Sequence, residues 1–492
     1  MLVTLVACYF AVTICIGFYA ARRVKNSADY LVAGRSLPLH MNTATVFATW
    51  FGAELILAVS STFLKEGLQG VVGDPFGAAF CLIFVALFLA APYYRLKLMT
   101  VGDFYKKRYN RTVELASAAA ISISYLGWSS ANLVALGIVI HTVSGNAITL
   151  EQGIVLGAVI VGIYTLFGGM WSVAFTDLFQ TVIIVAGLIY IAWMLAGMAG
   201  GVDKVVATAQ ASDRLKFFPG ASLHDWLGFI AAFVTMALGS VAQQDVFQRV
   251  TSARTEKIAR QGTLLGGSLY LLMAFIPMFI AVSALLIDPA MVKQMLSNEN
   301  DFQQVLPTLI LQRTPLFAQV LFFGALLSAI LSTASGTLLA PTAVITENVI
   351  QPLWGHKLSD RKMLVLLRLI LIGFTCCVTL FALQSESSMY QMVQDAYKVT
   401  LVAAFTPLIF GMFWRRATPQ GALLSMACGV VAWQYAEHFM SDALVPPQLV
   451  GLGSAIVGMI VGSLAPTLMG GQGHPEIVDL ARQPEVADNP PA

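Results

Sequence analysis

Residues Phe323 to Asn348 read FGALLSAILSTASGTLLAPTAVITEN, an apolar stretch carrying hydroxyl and small side chains at helical spacing. On a helix, Gly324, Ser328, Ser332 and Ser335 share one face, with Ala325, Ala329, Thr333 and Gly336 beside it. Leu327, Ile330, Leu331 and Leu338 cover the remainder. Two chemistries fit. Small residues let membrane helices approach closely, each buried hydroxyl bonding back to its own helix or across to a neighbour. Paired hydroxyls together with freed backbone carbonyls also make the oxygen set a hard cation takes. Spacing alone does not choose between them.

A carboxylate inside an apolar run is costly and marks a functional candidate. Glu54 stands in TATVFATWFGAELILAVSS, one turn beyond Trp50 on the same helical face. Three roles are open to it: a structural acid bonded to backbone or hydroxyl groups, a counter-charge for an amine-bearing solute, or a proton-coupling group. Asp245, in MALGSVAQQDVFQR, reads as a solvated acid at a loop end, or as the partner of Arg249 in an inner gate pair. Asp177 reads as the cap of the span that follows it, where an acid satisfies free amides and the helix dipole. Arg368 and Lys398 read as snorkelling or paired cations.

The elements that must position these residues are membrane helices. Hydrophobic residues make up 58% of the chain and charged residues 11%, against about 25% charged in soluble domains. A net charge of +2 implies nothing about nucleic-acid or acidic partners, no nucleic-acid partner is expected, and the six cysteines all lie in apolar runs without disulfide or metal spacing. Thirteen runs approach the length of a spanning helix, at 2–21, 41–64, 76–94, 112–142, 151–168, 177–198, 223–246, 262–287, 316–349, 364–384, 390–414, 420–440 and 449–469. No basic residue precedes the first run, and Arg22, Arg23 and Lys25 follow it, so it reads as a span with its N-terminus outside rather than a signal peptide. On that topology 20 of the 28 Lys and Arg fall on the cytoplasmic side and seven on the other, with Arg368 inside the tenth span. The distribution predicts N-out, C-in. The second and seventh spans are interrupted, at Gly52 and at Gly239 to Gln243. Breaks five spans apart indicate inverted repeats of spans 2–6 and 7–11 around a midplane site, while close packing is the other use of an isolated glycine.

Four stretches carry a family resemblance. GGMWSVAFTDLFQ (168–180) resembles the signature of the sodium:solute symporter family, and LSAILSTASGTLLAPTAVITEN (327–348) its ninth-span motif. SADYLVAGRSL (27–37) and GMFWRRATPQGALLSMACG (411–429) are similar to two further family stretches. The resemblance implies an all-α polytopic membrane protein of 13 transmembrane helices with a five-plus-five inverted repeat of the leucine-transporter type. The expected units are 1–40 (first span and cytoplasmic loop), 41–200 and 201–418 (the two repeats), 419–469 (spans 12 and 13) and 470–492 (a disordered cytoplasmic tail). It also implies a sodium site made of carbonyls of Ala48 and Phe51, the carbonyl of Ala329, and the hydroxyls of Ser332 and Thr333. That cage has no formal charge, because Trp50 stands where proline-transporting members carry an aspartate.

Locally, ATWFG and QQDVFQRVTSA most resemble the high-affinity choline transporter branch, whose tryptophans at the positions of Trp50 and Trp128 resemble walls of a cage for a quaternary ammonium. Gln243 occupies a third cage position, where an amide implies a hydrogen-bonded solute. Phe47, Phe247 and Glu54 complete the expected solute-binding set. The expectation is therefore a transporter, not an enzyme: a monomeric, multi-pass protein of the inner membrane that imports a small organic solute, amino acid or choline-like, with sodium. The alternatives are proton coupling and a solute sensor retaining the transporter fold.

Overall fold

The computed structural model describes residues 2–297, 302–354, 358–440 and 443–468. The expected tail from Gly470 lies outside the described residues. Among the described residues ten helices are long and apolar enough to cross a membrane, eleven when a bent pair is counted as one span. The succession begins with α1 (Leu2–Ala21), the bent pair α2 (Leu39–Trp50) and α3 (Glu54–Gly70), α4 (Val72–Leu96), α5 (Arg111–Val143) and α6 (Leu150–Ala199). It continues with α7 (Leu223–Gly239), α8 (Gln244–Thr251), α9 (Glu256–Ile287), α10 (Leu316–Val344), α11 (Asp360–Gln384), α12 (Met389–Phe413), α13 (Pro419–Phe439) and α14 (Pro447–Leu468). Among the described residues extended pairing is confined to one isolated bridge, Leu37 with Ala253, which ties the loop after α1 to the end of α8.

Both expected interruptions are present. The chain bends by 52° between α2 and α3, with Phe51 and Gly52 outside the helices. Between α7 and α8, a single 3-10 turn (Ser240–Ala242) leads to Gln243 in extended conformation.

The fifth and sixth expected spans differ from their reading. Two helices are run together in α6 across a kink at Gly169, so the separation of the two falls at Gly169, and the segment taken as a turn before Asp177 is helical. Gly169 adopts φ 50°, ψ −142°, and a Cβ there would lie 2.4 Å from the Tyr30 carbonyl oxygen. A side chain is excluded by neighbouring backbone as well as by the dihedral. The Tyr30 ring packs into the bend and its hydroxyl donates to the Thr165 carbonyl at 3.2 Å, so the short helix Ser27–Val32 is fastened to α6.

The hydroxyl-rich α10 is the axis of the molecule. Every residue from Ala325 to Val344 is buried, with α6, α5, α2, α1 and α11 packed around it. Lipid-facing helices carry the apolar exterior, as in α11, where Val365, Leu369, Ile372 and Leu380 are exposed. A small, polar helix can be this deeply buried only where its hydroxyls find partners, since an unpaired donor in hydrocarbon costs several kcal/mol, of order 2–7.

Candidate ion and solute site

The partners of the α10 hydroxyls separate the two chemistries left open by spacing. Ser328 donates to the Gly324 carbonyl (2.7 Å), Ser335 to Ser332 (2.9 Å), Thr337 to Ala334 (3.1 Å) and Thr342 to Leu338 (2.7 Å). These four bond back to their own helix, and Ser328 also pairs with the Tyr9 hydroxyl of α1. Ser332 and Thr333 reach across: the Ser332 hydroxyl donates to Asp177 Oδ1 at 2.6 Å, and the Thr333 hydroxyl lies 3.4 Å from the Ala48 carbonyl oxygen.

Ala48 offers that carbonyl because of the break. In an unbroken helix its oxygen would accept from the amide of Gly52; here the Gly52 amide donates to Trp50 instead, at 2.9 Å. Gly52 also lets α10 come close, since a Cβ there would stand 2.8 Å from Thr333 Oγ1. Phe51, at φ −80° and ψ 72°, lies outside both helices, and Ala329 is buried one turn before Thr333. Ala48, Ser332 and Thr333 of the expected oxygen set thus meet at one junction of α2, α10 and α6.

Two acids occupy places other than those expected. Asp177 caps no helix; it lies within α6, whose N-cap is Thr149, and is fully buried with its second oxygen, Oδ2, unpartnered. The junction is therefore carboxylate-bearing rather than a neutral cage. Asp245 is not a solvated loop-end acid but is fully buried in α8. Its Oδ2 accepts from the Trp50 indole at 3.1 Å, its other oxygen from the Tyr125 hydroxyl, and its own amide donates to that same hydroxyl oxygen at 2.9 Å. Arg249, counted among cytoplasmic loop cations, is 2% exposed.

Around Asp245 the aromatic rings converge. Trp50 and Trp128 meet edge to face with centroids 5.9 Å apart, Trp50 stacks on Tyr397 at 6.3 Å, Trp128 lies 5.5 Å from Tyr397, and Tyr125 stacks on Trp128 at 6.0 Å. Four π-faces and a carboxylate form a set suited to a cationic amine. Gln243 sits at its edge, donating to Ser124 (3.0 Å) and Thr400 (3.4 Å). Phe47 stacks on Phe51 at 4.9 Å and Phe247 packs on Tyr93 at 4.9 Å, rather than on the tryptophans. Glu54 lies beyond the break, with Oε1 buried and unpartnered, in electrostatic range of Asp74, to which Tyr270 donates a hydrogen bond.

Sequence reasoning missed Tyr125 and Tyr397 and misplaced both acids. Tyr125 was within reach, one turn from Trp128 on α5. Asp177 carried the general signal of an acid in an apolar run, obscured by the reading of its surroundings as a turn.

A membrane protein with a broken helix facing paired hydroxyls and a carboxylate belongs to the class of ion-coupled carriers, and comparison gives the family. Residues 30–429 match the family model described as SSF: Sodium:solute symporter family. The chain is 26% identical over 444 residues to the high-affinity proline transporter PutP of Bacillus subtilis (strain 168), covering 87% of this chain and 91% of that protein. It is 23% identical over 437 residues to the high affinity choline transporter 1 of Homo sapiens, covering 86% and 74%. In fold it resembles a Na+-coupled sialic acid symporter solved in a substrate-bound outward-open state, with a TM-score of 0.79 at 19% identity over 94% of this chain and 98% of that one. The chain belongs to the sodium:solute symporter family. It is a membrane transporter rather than an enzyme, and sodium is its co-transported ion.

Proposed function

We propose that the protein is a secondary active importer, carrying a small amine-bearing organic solute into the cell with sodium by alternating access. The observation that carries this reading is the division of the α10 hydroxyls: Ser332 and Thr333 turn to Asp177 of α6 and to the Ala48 carbonyl at the break, while Ser335, Thr337 and Thr342 bond back to α10 and Ser328 pairs with Tyr9 of α1. Sodium binds among Ala48, Phe51, Ala329, Ser332 and Thr333, with Asp177 added to the set. The solute lies against Trp50, Trp128 and Tyr397, its amine directed to Asp245 and its polar groups to Gln243, with Glu54 toward the entrance. In this reading the chain spans the inner membrane 13 times, N-terminus out and C-terminus in, and spans 2–6 and 7–11 are inverted repeats that rock about the site. The relatives' names make proline and choline the first solutes to try.

The test is uptake into proteoliposomes of solutes chosen by a thermal-shift screen of amino acids, betaines, choline and carboxylates. Uptake falls to the leak level when a sodium gradient is replaced by potassium at fixed pH; undiminished uptake removes sodium coupling. Ser332→Ala with Thr333→Ala raises the half-saturating sodium concentration, and unaltered sodium dependence removes the site. Proton coupling is the second reading, favoured by the unpartnered Glu54 beside Asp74. It requires uptake driven by an inward proton gradient without sodium.

A further inference from the structure

Arg249 is among the largest fully buried side chains and is incompletely bonded. Its Nε donates to the Thr49 hydroxyl at 3.0 Å, while Nη1 and Nη2, both buried, have no hydrogen-bond partner among the described residues. It forms no ion pair among the described residues, yet it lies within electrostatic reach of both Asp177 and Asp245. Asp245 is one turn earlier on α8, and the guanidinium packs on α10 at Gly336, one turn past Ser332, where a Cβ would stand 2.6 Å from Nη2. A void of about 10 Å³ bordered by Trp50, Val246 and Thr263 adjoins it. Thr49, its single tether, sits between Ala48 of the oxygen junction and Trp50 of the aromatic cluster.

A buried cation held at one nitrogen within reach of two acids, one of them with an unpartnered oxygen at Asp177 Oδ2, can move to either. We propose that Arg249 is the positioning residue that couples the two sites, an internal cation that competes with sodium for Asp177. Without sodium the guanidinium is drawn to Asp177 Oδ2. Sodium at Ser332 and Thr333 repels it toward Asp245, the acid that holds Trp50 and Tyr125, and so adjusts the aromatic cluster when the ion arrives. This rests on the sodium site proposed above.

The experiment is a sodium titration of the purified full-length chain at fixed pH, with potassium replacing sodium at constant ionic strength, read by intrinsic tryptophan fluorescence and thermal shift. Arg249→Gln removes the competitor, so half-saturating sodium falls about three- to tenfold, the effect of one repelling charge at partly screened range. Arg249→Lys, which keeps the charge, stays near wild type. A residue with only a packing role would weaken sodium binding on removal, so unchanged or weaker binding in Arg249→Gln overturns the proposal. Thr49→Val, which unties the guanidinium, gives the opposite sign, raising half-saturating sodium, and serves if the first variant does not fold; no change there also overturns it. A sodium response surviving intact in Ser332→Ala/Thr333→Ala locates the failure in the ion site itself. A response lost in that variant but not sharpened by Arg249→Gln locates it in Arg249.

Discussion

At the scale of single residues, what matters is where a hydroxyl finds its acceptor. A serine bonded to the carbonyl one turn back is finished chemically, and its removal costs little beyond a back-bond. Ser335→Ala therefore leaves half-saturating sodium within about twofold of wild type in the titration, in contrast to the rise expected of the double substitution at Ser332 and Thr333. Gly52 is a sharper probe, because Gly52→Ala leaves every oxygen chemically intact and pushes a methyl into Thr333 Oγ1. It should raise half-saturating sodium about tenfold, the equivalent of one lost oxygen contact of ~1.4 kcal/mol. Sodium binding indifferent to that methyl would mean that Thr333 is no ligand.

At the scale of elements, the bend in α6 and the break between α2 and α3 bring the oxygens together. Gly169→Ala forces a Cβ against the Tyr30 carbonyl and a left-handed dihedral, costing about 1–3 kcal/mol, seen as a lowered unfolding temperature and a displaced Asp177. Outside the membrane-spanning helices, Asp288 caps the helix Pro289–Leu296 and pairs with Arg313 at 2.5 Å. The hydrogen bond from Arg313, with the Met291 amide, holds the Asp288 carboxyl below its usual range. A depressed folded value means stability that is present above the unfolded pKa and lost as pH falls through the folded one. Asp288→Asn is thus less thermostable than wild type at neutral pH, and the gap closes as the buffer is acidified below the carboxylate range.

At the scale of the whole molecule, the proposed sodium and solute sites both adjoin α2 and α8, where Trp50 bonds to Asp245 and Arg249 to Thr49. Shared walls make coupling a property of the assembly, and linkage requires it to be reciprocal. The factor by which saturating sodium lowers the solute dissociation constant should equal the factor by which saturating solute lowers half-saturating sodium. Separate titrations of purified protein check this, and two unequal factors at equilibrium would show that the ligands report on different populations.

Much of this protein was decided locally and could be read from its sequence. Hydrocarbon demands long apolar helices, so composition and run length yielded the class and most span limits, and the glycines with their polar neighbours marked both breaks. The choice of Ser332 and Thr333 over Ser328 and Ser335 came from the family motif, since all four have the same donors and a similar helical neighbourhood. The tertiary structure decided which carboxylates belong to the site. Asp177 and Asp245 each lie far along the chain from the residues they meet, Ser332 and Trp50, and a chain that kinks at Gly169 and resumes its helix well before Asp177 looks, residue by residue, like a turn followed by a cap. Burial and partnership are relations between distant segments, so an acid read as solvated and one read as a cap became fully buried acids bonded to Trp50 and Ser332 only once the helices were packed together.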